Sequence, residues 1–360
     1  MVCMCALMNA NAQKVTVNGL KYYLFHDTHE AAIDDGNTWA GELELPSEVS
    51  YNGETYIVNG MIHNAFQGSK ELTKVRIPKT IDHIINHVLS EDPDVGGAVS
   101  PDYRNPFVGC TALESVEVDE ENPSMSSVGG ILFSKDCTGL YCYPAGIKAE
   151  SYAVPEEVTW IGGSAFSCND YLVSVELPKT VTKLSGSAFS YCKNLERVNL
   201  SPNLTCIEGA FYECSRLKSI EIPSGVETIG ERTFWNCTSL RTIDLPESVT
   251  YLSNYVFYGC MLDALVIRGI LIKDYFSSQI FSGLNDSATL YVQASEVDRY
   301  KEVFSGTILP LGEYHTGMQV PTSTSIQDQT KPIYDLRGVR MDQPRKGIYI
   351  QNGQKVIVRK

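Results

Sequence analysis

The chain has 360 residues, with 43 acidic against 29 basic side chains and a net charge of −14. A surface of that sign repels phosphate backbones and anionic lipid, so nucleic-acid and membrane-surface binding are disfavoured. No apolar run reaches the roughly 18 residues of a membrane span, while a 43% hydrophobic content supplies ample material for a core.

In chain order, residues 1–12 run from an apolar stretch, Met1-Val-Cys-Met-Cys-Ala-Leu-Met8, into Ala10-Asn11-Ala12. An apolar run closed by small residues two apart predicts the remnant of an export signal, cut before Gln13. Residues 13–64 hold two strand-rich segments, Val17-Asn-Gly-Leu-Lys-Tyr-Tyr23 and Tyr51-Asn-Gly-Glu-Thr-Tyr-Ile57.

From Ala65 to residue 312 the chain repeats. Phe166, Phe189, Phe211, Phe234 and Phe257 are spaced by 23, 22, 23 and 23 residues. Cys192, Cys214, Cys237 and Cys260 each follow their Phe by three, as Cys110 follows Phe107, while Cys168 follows Phe166 by two. Leu172, Leu195, Leu217 and Leu240 come six after Phe, and a short Pro-ended strand follows, as in Ile220-Glu-Ile222-Pro223. An apolar pair three apart, such as Val181/Leu184 or Val226/Ile229, closes the unit. A coil of about 23 residues cannot bury an apolar face alone, so the pattern predicts coils stacked as parallel strands around one continuous core. The fold class is therefore a repeat solenoid, mainly β with short helical turns. Phe, Cys and Leu point inward, and the repeat cysteines are expected as free thiols because stacked parallel side chains fit disulfide geometry poorly. Two insertions interrupt the count, near 86–104 and 119–154. Cys137 and Cys142 flank a turn in the second and are the better candidates for a bridge.

These residues resemble the BspA-like leucine-rich-repeat proteins common in Bacteroidetes, whose consensus Ala-Phe-x-x-Cys-x-x-Leu-x-x-Ile-x-Leu-Pro matches five to seven coils here. The resemblance implies that 13–64 is an N-terminal β cap and that 289–310 closes the solenoid with a strand and a short helix. Residues 313–332 read as a linker. Residues 333–360, with Ile348-Tyr-Ile350, Asn352-Gly353 and Lys355-Val-Ile-Val358, predict three short strands in a small C-terminal β module, which resembles the sorting domain of secreted Bacteroidetes proteins.

Chemistry is sparse. There is no nucleophile elbow, phosphate loop or dinucleotide fingerprint. His83 and His87 are four apart but lack the Glu of a zinc helix, and Asp27, Asp34, Asp35 and Asn37 match no calcium loop. No catalytic residue, metal site or cofactor is expected, and the chain is read as a non-enzyme. Asp286-Ser287-Ala288 is similar to a short O-glycosylation motif of Bacteroidetes.

Two surface stripes are the candidate ligand contacts. Strand alternation turns Glu176, Asn199, Glu221 and Asp244 outward, with Arg76 and Glu117 at the same place in earlier coils: a solvated face, or one that a basic partner or cation would relieve. Tyr212, Trp235 and Tyr258 each follow a repeat Phe, and Tyr191 lies close by. Either they form an exposed row for a sugar face or a protein, or they pack against adjacent coils. The resemblance implies an exported protein, secreted, surface-displayed or periplasmic, with a protein or glycan partner that can be host-derived. Adhesion through the repeat face leads. A glycan-binding accessory and a scaffold without a dedicated ligand are the alternatives.

Overall fold

The computed structural model describes residues 12–34, 36–85, 105–273 and 276–314, together with short backbone strands between 333 and 358. Residues 1–11 of the predicted signal, the first insertion at 86–104 and residues 315–332 of the linker lie outside the described residues. The chain divides into two compact units, Met1–Leu311 and Gly312–Lys360.

The first unit opens with three antiparallel strands, Ala12–Val17, Leu20–Phe25 and Glu30–Ile33. Asn18 and Gly19 both take positive φ, as do Asn52 and Gly53 between Glu48–Tyr51 and Glu54–Ile62. These are the two-residue hairpin turns that Asn-Gly favours, because their twist matches that of the flanking strands. Glu54–Ile62 also pairs in parallel with His83–Ile85. Strand Ala40–Glu44 joins the solenoid instead, pairing in parallel with Glu71–Ile77, which pairs with Ser115–Val118. The parallel ladder therefore reaches back into the segment read from sequence as cap.

Each later coil contributes to two ladders. One runs through Ser151–Ala153, Ser174–Glu176, Arg197–Asn199 and Ser219–Ile220. Thr242–Leu245, Ala264–Ile267, Thr289–Val292 and Thr307–Pro310 continue the same strand position. The other is made of shorter strands, Gly139–Cys142, Trp160–Ile161 and Lys183–Leu184, then Cys206–Ile207, Thr228–Ile229 and Tyr251–Leu252. The closing pair of each repeat lines this second wall, with Val181, Leu204, Val226 and Val249 all fully buried. After Thr289–Val292 a short helix, Val297–Lys301, leads into the final strand, which sequence did not separate from it.

Between the walls the aromatic rings form a column. Phe166 and Phe189 stack at 4.8 Å, Phe189 and Phe211 at 5.5 Å, Phe211 and Phe234 at 5.7 Å, and Phe234 and Phe257 at 6.1 Å, all within 15° of parallel. Tyr143 extends the column, 5.2 Å from Phe166. Its amide donates to Ala165 O as that of Phe166 donates to Ala188 O, so a full coil is hidden in the 119–154 insertion.

The Cys column lies beside the rings. The thiols of Cys110, Cys192, Cys214, Cys237 and Cys260 donate to the carbonyls of Phe66, Phe166, Phe189, Phe211 and Phe234, one coil back, at 2.9–3.2 Å. Cysteine is thus more than a small apolar filler: it is a compact donor that adds an inter-coil hydrogen bond to a buried carbonyl already bonded by the turn amide three residues on. Where Cys168 is displaced by one, Asn169 takes the position, accepting from the amides of Tyr171 and Leu172 and donating toward Pro144 O and Ile147 O. Ser69 and Leu284 hold it in the first and last coils.

All nine described cysteines are free, including Cys137 and Cys142, which the sequence offered as a bridge. The reason is the hairpin Ile131–Ser134 and Gly139–Cys142. Its alternate side chains enter two different cores, Ile131, Phe133 and Leu140 on one side and Leu132, Tyr141 and Cys142 on the other. Cys137 packs on the first core and Cys142 sits in the second.

The second unit is an antiparallel sheet of Arg340–Met341, Ile333–Tyr334, Gly347–Gln351 and Gln354–Val358, in that order. Ile333–Tyr334 and Arg340–Met341 pair with each other, and the last two strands pair as far as Gln351 and Gln354.

Two outcomes follow from the columns. Phe211→Ala should lower the free energy of unfolding by about 3–5 kcal/mol in urea titration, the usual cost of an unfilled aromatic cavity. Burial pushes the Cys110 and Cys260 thiols from an ordinary value near 9 up to about 12, and holds those of Cys192 and Cys237 well above the ordinary value. A raised folded pKa means full stability below pH 9 and a loss as pH rises toward 12, roughly 1.4 kcal/mol per pH unit for each such thiol. Far-UV circular dichroism should collapse in that window together with the appearance of thiolate absorbance.

Candidate ligand-binding surface

The strand stripe is outward, as alternation requires. Glu176, Asn199 and Glu221 are exposed, with Glu176 and Asn199 in direct register. Its two ends are neutralised within the chain. Asp244 takes a two-pronged pair of bonds from Arg268, at 2.6 and 2.7 Å. Glu117 accepts from Arg76 at 3.1 Å and also pairs with Lys74, while Arg76 reaches Glu42 at 3.4 Å. These guanidinium contacts could not be paired from sequence because they join residues about 24 and 41 apart.

The aromatic residues form one continuous row. Tyr191 meets Tyr212 edge-on at 5.3 Å, Tyr212 stacks on Trp235 at 5.9 Å, and Trp235 stacks on Tyr258 at 3.9 Å. Both sequence alternatives hold together: the rings pack coil on coil and stay accessible, with Tyr191 43% and Tyr258 37% exposed and the two between them half-buried. Interior ring faces are turned into one another, so the row offers a ridge of edges, hydroxyls and the indole rim. Tyr255 joins it edge-on, 6.0 Å from Trp235, and the Arg232 guanidinium lies over the Trp235 ring at 5.5 Å. Sequence reasoning passed over both; each stands two residues before a column Phe.

That position and the one two residues after the Phe are left-handed in most coils. Asn64, Ser164, Ser187, Gly209, Arg232 and Tyr255 hold the first with positive φ. Gly68, Gly109, Cys168, Tyr191, Glu213, Asn236, Gly259 and Gly283 hold the second. The backbone there turns so that each amide can bond the neighbouring coil, as Tyr191 N does to Tyr212 O and Glu213 N to Trp235 O. A residue with a Cβ costs about 1–2 kcal/mol in this region relative to glycine. Asn236 is a tolerated occupant, and its amide donates to Glu213 at 2.8 Å. Tyr191, Glu213, Arg232 and Tyr255 are bulkier, and all four lie at the aromatic row.

Elsewhere the surface carries little. His83 pairs with its neighbour Asp82, and His87 lies outside the described residues. Asp34 pairs with Lys14 at 3.0 Å, and Asn37 donates to Gly19 O. Among the described residues no three His, Cys, Asp or Glu side chains gather as a metal site, and no helix is long and apolar enough to cross a membrane. Cys206, the partly exposed thiol of the short ladder, is pushed up to about 12 by burial and by Glu208, which removes it as a nucleophile.

The BspA-type leucine-rich-repeat model matches six copies over residues 103–311, more than half the chain. The chain belongs to this family. Its fold is similar to that of the pneumococcal vaccine antigen PcpA, at 19% identity and a TM-score of 0.54, covering 83% of this chain and 98% of that one. A leucine-rich-repeat protein of Bacteroides ovatus aligns at 21% identity and a TM-score of 0.45 over 82% of this chain and 67% of its own. A leucine-rich cell-surface protein of Faecalibacterium prausnitzii aligns at 18% and 0.42 over 82% and 99%. No curated protein is significantly similar in sequence. Membership carries a repeat-based binding or surface role, and no catalytic family is among the matches.

Gly283 bounds the row. Its φ is +74°, and a Cβ there would fall 2.2 Å from the Tyr258 ring. Gly283→Ala should displace Tyr258 from Trp235 and cost about 1–2 kcal/mol through the left-handed backbone alone. Greater quenching of tryptophan fluorescence by acrylamide, with a lowered melting temperature, would record both effects.

Proposed function

We propose that this chain is a non-enzymatic, exported binding protein that takes a protein partner, host-derived or bacterial, on the ridge formed by Tyr191, Tyr212, Trp235 and Tyr258. The observation that carries this reading is the stacking of the rings on each other. A pyranose binds an aromatic by laying its C–H face on an open ring face, and the interior faces of this row are occupied by neighbouring rings. An edge-on ridge of Tyr and Trp instead fits the pattern of protein hot spots, rigid amphipathic side chains that lose little entropy on binding. The solenoid supports it: each ring is fixed by a coil whose own core is closed, so the row is organised before any partner arrives.

Display outside the cell is supported by the family, by the leader-like residues 1–12 and by the C-terminal strands that resemble a sorting module. It also agrees with PcpA being a vaccine antigen. Adhesion to a matrix protein or to another bacterium is the form of binding this location favours.

The test is a panel of purified extracellular-matrix proteins beside a glycan array, each probed with the parent chain and with Trp235→Ala. The expected result is binding to at least one protein that falls about 30-fold or more with the loss of a hot-spot aromatic. Retention on the glycan array alone, or protein binding indifferent to Trp235, would overturn the proposal.

A further inference from the structure

The strained positions carry a second conclusion, which rests on the reading of the aromatic row as a protein-binding ridge. The left-handed turns recur along the solenoid, and most coils fill them with glycine, serine, asparagine or cysteine. The exceptions, Tyr191, Glu213, Arg232 and Tyr255, fall within the coils of Phe189 to Phe257 and flank the ridge. A bulky residue at positive φ is a true outlier. Outliers that the fold does not require concentrate where a side chain is kept for another purpose. The fold accepts glycine at both turns, since Gly209 and Gly259 hold them in neighbouring coils.

What those side chains do is visible. Tyr255 widens the ridge beside Trp235, and Arg232 lies over that indole while pairing with Glu231 at 3.1 Å. Glu213 is held by the Asn236 amide at 2.8 Å, and the exposed Glu208 accepts from the Cys206 thiol at 3.7 Å. Those are neutral groups, which fix the two carboxylates without cancelling their charge. Glu213, next to Tyr212 in the chain, thus adds a carboxylate at the ridge, and Glu208, next to the left-handed Gly209, adds a second in the same coil of a chain already at −14.

We infer that Tyr191, Glu213, Arg232 and Tyr255 are specificity-determining residues of the ridge, and that its partner is a polypeptide presenting basic side chains around an apolar centre. Complementary charge at such a rim selects the partner and speeds its capture, while the aromatic centre holds it.

The experiment uses the full chain and three labelled peptides of equal length, alternating Leu with Arg, with Ser or with Glu, read by fluorescence anisotropy at physiological salt. The Arg peptide should bind at least tenfold more tightly than the Ser peptide, and the Glu peptide weakest. Tyr255→Gly should weaken the Arg peptide at least fivefold, and Arg232→Gly, which releases the Glu231 carboxylate, should widen the preference for Arg over Ser, each with the melting temperature unchanged or raised. Glu208→Gln/Glu213→Gln should narrow the preference for Arg over Ser. A control outside both stripes, Glu156→Lys/Glu157→Lys, should leave affinity as it was. Equal binding of the Arg and Ser peptides, both lost on Trp235→Ala, would overturn the basic partner and leave the protein-binding ridge standing. A control that weakens binding as much as the ridge variants would reduce the effect to diffuse attraction and overturn the inference. So would a lowered melting temperature in the glycine variants, which would make those residues structural. Failure of all three peptides would overturn the inference, whereas the protein-binding reading is decided separately by the matrix-protein panel.

Discussion

Everything in the solenoid depends on the contact between one coil's Phe and the next coil's Cys. The Phe ring stacks on its equivalents, and its carbonyl accepts a thiol hydrogen from the following coil at about 3 Å. The same residue therefore fills the core and anchors the backbone of its neighbour. The bond fixes the rise from coil to coil, and the rise fixes where every outward side chain falls. Leucine in place of the cysteine would pack but leave the carbonyl with only the turn bond of its own coil, and serine would keep the second bond with less volume.

The aromatic ridge is a by-product of that spacing. The residue after each Phe falls at the same place in successive coils, so aromatic side chains there meet their equivalents. In the coil of Phe166 that residue is Ser167, and in the coil of Phe189 it is Ser190, both buried. Tyr212, Trp235 and Tyr258 fill it in the next three, and Tyr191 enters from one position on. The ridge starts where small residues stop and ends where Gly283 lets Tyr258 lie flat.

The columns were legible because buried, identical environments demand identical residues: Phe, Cys and Leu recur with almost no drift, and the apolar pairs follow. What was hidden is what a period cannot express. Tyr143 serves as a column aromatic 23 residues before Phe166, but Pro-Ala-Gly follows it where others have a polar turn and a cysteine. The spacing was its only signal. The left-handed turns were invisible because non-glycine residues occupy them in the coils that matter most. The partner of Asp244 was out of reach because Arg268 comes from the next coil. The proposed bridge between Cys137 and Cys142 failed because closeness in sequence does not say which face of a strand each residue takes.

The hairpin that separates those two cysteines has a wider consequence. It is buried on both faces, and the apolar interior is divided in two at that point, one part reaching back to the first strands and the other forward to the final ones. In a stack where each coil leans only on its neighbours, stability propagates from contact to contact. A wall of this kind interrupts that propagation. The domain should then behave as two cooperative blocks joined at a seam: damage entering from the N-terminal strands would stop at the wall, with the coils of the aromatic row folded behind it.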